Sequence, residues 1–242
     1  MTLTVEELGA RSQLEPVRIV LIHGAATTAT VWEPLAAALS SVGEVVTPQR
    51  GYSGDWETEL GDLVETVRDS FVVGVSGGAT LGLELATRGV PMLGAVLHEP
   101  AAGSLAPRLL DHVIRALDED GVEGFGRALY GEGWEPSMLP PDRDAVGRDL
   151  GMFRAFEPAS PTSPLDNVTL TVGELSPRIR HESVEAIAEL TGANVLVVPG
   201  AGHGVQLTAV KTFAKVIAAQ LGASIALPRT VGSWQMNTKK GN

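Results

Sequence analysis

The sequence has 242 residues, 44% apolar and 19% charged, the balance of an ordinary globular protein with a sizeable core. Its formal net charge of −11 argues against nucleic acid or an anionic membrane as partner, because both need basic patches. It has no cysteine, which excludes disulfides, thiolate metal sites, iron–sulfur clusters and a cysteine nucleophile. In chain order, the segment 1–16 carries Glu6, Glu7 and Glu15 and no long apolar run, so it does not read as a signal peptide. No stretch reaches the roughly 18 apolar residues of a membrane span, and a cytoplasmic protein is expected.

Apolar, β-rich runs at 17–22, 43–47, 71–75, 93–97, 168–172 and 194–198 predict strands buried on both faces. Between them lie helical patterns at 31–39, 60–68, 79–88, 183–190 and 211–221. The second has Leu60, Leu63, Val64 and Val67 at helical spacing, and the third ends before Gly89, a C-cap residue. This alternation predicts an α/β fold with a doubly wound, mostly parallel sheet. The spacing breaks once. About seventy residues separate the fourth run from the fifth and hold helical candidates at 106–117 and 122–130, followed by a Pro-rich stretch. An insertion of this length is expected to act as a helical lid. The predicted division is a core over 1–100 and 167–222, a lid over 101–166 and a flexible tail over 223–242. Trp32 in the core and Tyr130, Trp134, Met138 and Phe153 in the lid are the candidate lining of a substrate pocket.

Gly74-Val75-Ser76-Gly77-Gly78 follows a strand run and opens a helix pattern. A sharp strand-to-helix turn lifts a serine hydroxyl above the sheet edge, and small residues on either side let strand and helix approach. The free N–H groups of the helix start lie near any negative charge that develops there. Ser76 is thus the candidate nucleophile. A serine needs a base. Of five histidines, His203 lies on a Gly-rich loop directly after the run 194–198, at the strand edge where α/β sheets place ligands. His23-Gly24-Ala25-Ala26 follows the first run. There the Ala25 amide would pair with the Gly77 amide as an oxyanion hole, and His23 would hold the loop.

These segments carry a resemblance. Leu21-Ile22-His23-Gly24, Thr47 to Gly54, Gly74 to Gly78 and Pro199 to His203 stand in the order found in the α/β-hydrolase superfamily, and the chain resembles it from 17 to about 221. The resemblance implies a serine hydrolase whose insertion is the lid and which needs no cofactor and no metal. The family's first two strands look short or absent. The triad acid stands open. The commonest family position, in Gly173-Glu174-Leu175-Ser176, holds serine rather than aspartate. Glu174 lies in that loop, and Glu99 ends the fourth run in Leu97-His98-Glu99-Pro100. Haloalkane dehalogenases and zearalenone-type lactonases place the acid at the second position. The lactonases are similar also around 74–78, 97–100 and 171–177, which favours Glu99 with Glu174 as the alternative. The implied reaction is cleavage of an ester or lactone of a small to medium apolar substrate. Carbon–carbon bond hydrolysis, cofactor-free dioxygenation and ligand binding without turnover are rival uses of the same fold. The expected partner is a small-molecule substrate, with neither nucleic acid nor membrane.

Overall fold

In a computed structural model, residues 16–226 are described. Six strands form one all-parallel sheet: β1 (Arg18–Ile22), β2 (Glu44–Val46), β3 (Phe71–Val75), β4 (Gly94–His98), β5 (Val168–Gly173) and β6 (Asn194–Val198), in the order β2-β1-β3-β4-β5-β6. The central strands are rich in Val, Ile and Leu, and every residue of β3, β4 and β5 is buried, including Thr169 and Thr171 of β5. Such runs fit a sheet covered by helices on both faces. Each Leu or Val taken out of water there contributes about 1.5–3 kcal/mol. β6 departs from the expected two-sided burial. Val195 and Val197 remain 44% and 47% exposed, because this strand ends the sheet and is only partly covered.

The helices are α1 (Glu33–Leu39), α2 (Trp56–Val67), α3 (Gly77–Thr87), α4 (Asp111–Tyr130), α5 (Asp144–Arg154), α6 (Arg178–Thr191), α7 (Val205–Thr208) and α8 (Val210–Ala226). α1 packs with α8, which lies on β4 and β6, while α3 lies on β3 and β4 and meets α2. Local chemistry sets several boundaries. The Asp55 carboxylate caps α2 by accepting from the Thr58 N–H at 2.9 Å. A 3₁₀ turn over Ala29–Trp32 precedes α1, and Pro34 sits in the helix's first turn, where its missing N–H costs nothing. α6 begins five residues before the predicted 183 and ends at Gly192 in the left-handed conformation. α8 continues to Ala226, so residues 223–226 of the expected tail are helical, and 227–242 lie outside the described residues.

The insertion between β4 and β5 contributes α4 and α5. Pro107 delays the start of α4 to Asp111 from the predicted 106, and Gly121, at φ 67°, breaks the helix where the sequence placed a boundary between two. The turns that follow β1, β3, β4, β5 and β6 all open on the same, carboxyl edge of the sheet, because all six strands are parallel.

Candidate active site

Ser76 occupies the turn between β3 and α3 at φ 56° and ψ −122°, a conformation that disfavours any side chain. The turn is tight because the positions two before and two after Ser76 are glycine. A Cβ on Gly78 would collide with the Ile22 carbonyl, and one on Gly74 would fall 2.6 Å from the Ala79 nitrogen. The Ser76 N–H donates to the His98 carbonyl at 2.9 Å, which extends the sheet by one residue and fixes the turn. A Cβ on Gly77 would stand 3.4 Å from the Ala25 nitrogen, so the two candidate oxyanion donors are adjacent. The loop that carries Ala25 is clamped from behind. The Tyr130 hydroxyl donates to the Ala25 carbonyl and the Trp134 indole N–H to the Ala26 carbonyl, each at 2.9 Å, and the Tyr52 hydroxyl donates to the Thr27 carbonyl. The Ala25 N–H shares its peptide plane with the Gly24 carbonyl, which accepts from the Thr27 hydroxyl at 3.0 Å, so this donor too has little freedom to turn away.

His203 is buried on the turn after β6. Its Nδ1 lies 2.7 Å from Glu99 Oε2. A carboxylate only accepts, so Nδ1 carries the proton and Nε2 is left as the unprotonated atom. Nε2 is buried and has no hydrogen-bond partner among the described residues. The Tyr130 ring stacks on the imidazole, 5.6 Å between centroids, and its hydroxyl and the Ser76 side chain meet over Gly24. Burial, then the charge of Arg180, lower the His203 pKa to about 3, so the ring is neutral at pH 7 and able to accept a proton. Burial alone would raise the Glu99 carboxyl. The hydrogen bond from His203 and the charges around it outweigh burial and hold it well below the usual carboxylate range. Glu99 sits at φ 49°, and its Oε1 accepts from the Gly173 N–H at 2.9 Å and from the Ser176 hydroxyl.

The alternative acid, Glu174, does not reach His203. Its exposed carboxylate accepts from the Gly200 N–H at 2.8 Å and so caps the turn that precedes the histidine. His98 pins the same turn from inside, with Nε2 at 3.1 Å from the Gly202 carbonyl and Nδ1 at 3.0 Å from the Thr171 hydroxyl. His23 holds the first loop: its Nε2 accepts from the Arg50 N–H at 3.1 Å.

A cavity of ≈ 30 Å³ opens on Ser76, Gly77 and Ala25, with Val113, Phe125, Leu150 and Phe153 among its apolar walls. Of the five predicted pocket residues, Phe153 alone lines it. Trp32 is fully buried in the core beneath the sheet edge, where its 3₁₀ turn directs it inward. Trp134 packs on Gly126, whose missing Cβ makes room for the indole, and buttresses the first loop. Met138 lies half-buried on a separate 3₁₀ turn away from the cavity. Tyr130 belongs beside His203 rather than on the cavity wall. A residue that the sequence reading missed, Arg180, lines the cavity, and its Nε lies 3.2 Å from Glu99 Oε2. The signal was available. Arg180, Ser183, Val184, Ile187 and Thr191 form the buried stripe of α6, and a charge on such a stripe is unusual.

A second buried cluster fastens the insertion. The Arg50 guanidinium donates to both Asp149 oxygens, at 3.0 and 2.6 Å, and through Nε to Glu59 at 3.0 Å. Asp149 is on α5 and Glu59 on α2, so one side chain ties insertion to core.

Comparison with known proteins gives a concordant picture. A family model described as "Alpha/beta hydrolase family" matches residues 19–216. No curated protein sequence matches the chain. Among solved structures, a lipase-esterase related protein from Clostridium acetobutylicum superimposes with TM-score 0.67 at 14% identity, covering 85% of this chain and 94% of its own. A thermophilic esterase from Thermogutta terrifontis, solved with malate bound, gives TM-score 0.66 at 17% identity, with 87% and 91% covered. The RedJ thioesterase of the prodiginine pathway in Streptomyces coelicolor gives 0.63 at 22% identity, with 86% and 90% covered. These likenesses establish the common fold.

Proposed function

The chain belongs to the alpha/beta hydrolase family, and from that premise we propose that it is a serine hydrolase that cleaves a carboxylic ester through an acyl-enzyme on Ser76. The observation that carries the reading is the 2.7 Å contact of His203 Nδ1 with the buried Glu99 carboxylate, which leaves Nε2 free to act as base. Ser76 Oγ attacks the ester carbonyl carbon while its proton passes to Nε2. The tetrahedral oxyanion takes hydrogen bonds from the Ala25 and Gly77 N–H groups. As the carbon–oxygen bond breaks, the imidazolium returns the proton to the leaving alcohol. Water then attacks the acyl-enzyme, gives its proton to Nε2, and the acid departs as Ser76 recovers its own. Glu99 stays ionised throughout, fixes the tautomer and stabilises the imidazolium.

The insertion at 101–166 acts as the lid, and its apolar residues favour a small to medium apolar acyl group. An esterase and a thioesterase among the structural neighbours support acyl transfer to water. A cyclic ester would follow the same course and open to a single hydroxy acid, the variant that the likeness to zearalenone-type lactonases favours. A cytoplasmic site of action, without nucleic acid or membrane partners, accords with the net charge of −11 and with the lack, among the described residues, of any helix long and apolar enough to cross a membrane.

The test is covalent labelling with a fluorophosphonate, read by intact mass and peptide mapping. One adduct per chain, on Ser76, absent from Ser76→Ala and from His203→Ala, is expected. A folded wild type that takes no adduct would reject the reading.

A further inference from the structure

Arg180 places a cation in a cavity whose other walls are almost all apolar. Its side chain is 4% exposed, and it lines the same ≈ 30 Å³ space as Ser76 and Gly77. A guanidinium is a rigid fork of five N–H donors. Nε forms an ion pair with Glu99 Oε2 at 3.2 Å, and among the described residues the guanidinium makes no hydrogen bond and pairs with no other carboxylate.

Glu99 is already committed elsewhere. Oε1 accepts from Gly173 and Ser176, and Oε2 accepts from His203 Nδ1. Arg180 stands beside this carboxylate as an ion pair and, among the described residues, its guanidinium makes no hydrogen bond, so donors remain for a ligand in the cavity that Arg180 lines. A buried cation is unfavourable unless its donors are matched, and a planar oxyanion presented by a ligand matches two of them at once. Arg180 and Ser76 line the same cavity, so an oxyanion held by the guanidinium belongs to the same ligand as the carbonyl that Ser76 would attack.

We propose that Arg180 is a carboxylate-docking group, so that the substrate is a monoester of a short dicarboxylic acid, bound with its free carboxylate on Arg180 and its methylenes against Val113, Phe125 and Phe153. The proposal rests on the serine-hydrolase reading, because it places the ester at Ser76. Without it, the same chemistry describes a binding site for a short carboxylate.

Binding is measured by calorimetry on full-length Ser76→Ala protein with monomethyl glutarate and, as neutral counterpart, dimethyl glutarate. The monoanion is expected to bind at least tenfold more tightly. Arg180→Met on the same background is expected to erase the difference, and Arg180→Lys to restore part of it. Equal binding of the two esters overturns the proposal, and this comparison needs no Arg180 variant to fold. A preference that survives in folded Arg180→Met overturns it too. Turnover is read separately, with 4-nitrophenyl hemiglutarate and 4-nitrophenyl butyrate on the wild type. Hydrolysis of both without preference sinks the Arg180 assignment and leaves the hydrolase reading intact. Selective binding of the monoanion by a protein that neither turns over nor labels at Ser76 sinks the hydrolase reading and keeps Arg180.

Discussion

Two buried arginines, Arg50 and Arg180, stand in different surroundings. Arg50 forms a bidentate pair with Asp149, adds a third bond to Glu59 and lies over Tyr52 and Phe153, 4.9 and 5.5 Å from the ring centroids. Among the described residues Arg180 has one carboxylate neighbour, nearest through Nε and without a hydrogen bond, and that carboxylate already holds His203. The first cluster joins the insertion to the core and gives each of the three guanidinium nitrogens a carboxylate partner. The second joins an acid to a base and leaves donors facing a cavity. A saturated ion cluster is a fastening, whereas one left unsaturated at a cavity is poised for a ligand.

The contrast breaks most sharply at the carboxylates. Glu99→Gln should lower kcat by about 10³–10⁴, because the histidine loses its tautomer lock and the partner of its cation. Glu174→Gln should leave kcat within about twofold, since its bond to Gly200 is exposed and its carboxylate makes no hydrogen bond or ion pair with His203. Steady-state kinetics on one ester, with circular dichroism as the check on folding, compares the two. A larger loss from Glu174 would reverse the assignment of the acid.

On the fastening side, Asp149→Ala should cost about 3–5 kcal/mol of unfolding free energy, because it leaves Arg50 buried with half its partners. Urea titration measures this. The same change should alter kcat less than Glu99→Gln does, and a larger kinetic effect than Glu99→Gln would mean that the fastening serves the chemistry directly.

The smallest effect concerns pH. With His203 lowered from 6.5 to about 3, first by burial and next by Arg180, the acid limb of kcat/KM should lie well below pH 6.5. Arg180→Met should move that limb upward, since a positive neighbour is removed. The stability consequence has the same origin. Between pH 6.5 and 3 the unfolded chain protonates at residue 203 and the native chain does not, so stability falls as pH falls through that window. Urea midpoints at pH 7 and pH 4.5 would show the drop. Equal midpoints for wild type and His203→Gln at both pH values would refute it.

Much of this architecture was legible locally. The strands announce themselves as short β-branched runs, and Ser76 and His203 each sit in a short Gly-rich pattern just after such a run. Glu99 and Glu174 could not be separated that way, since both follow strands that end on the same edge. Backbone direction separates them. Glu99, at positive φ, turns beneath the His203 loop, whereas the Glu174 N–H continues the ladder to Val198 and its side chain faces out. The aromatic content of the insertion foretold burial without foretelling orientation. Trp134 and Tyr130 point back at the carbonyls of the first loop, and α4 instead presents Val113, Phe125 and Leu129 to the cavity. Arg180 escaped because the predicted helix began at Ser183. Restoring the missing turn places the arginine on the apolar stripe.

The bonds that assemble the site join residues far apart in sequence: Arg50 to Asp149 across 99 positions, Glu99 to His203 across 104 and Ala25 to Tyr130 across 105. Each closes a loop of about a hundred residues, and closures of that length come late because chain entropy opposes them until the strands between have paired. During synthesis the amino-terminal part emerges first, so Ser76 is exposed to solvent well before residue 203 exists to activate it. On the serine-hydrolase reading the nascent chain carries no activated serine, and serine reactivity should begin only once the last strand and its turn have docked.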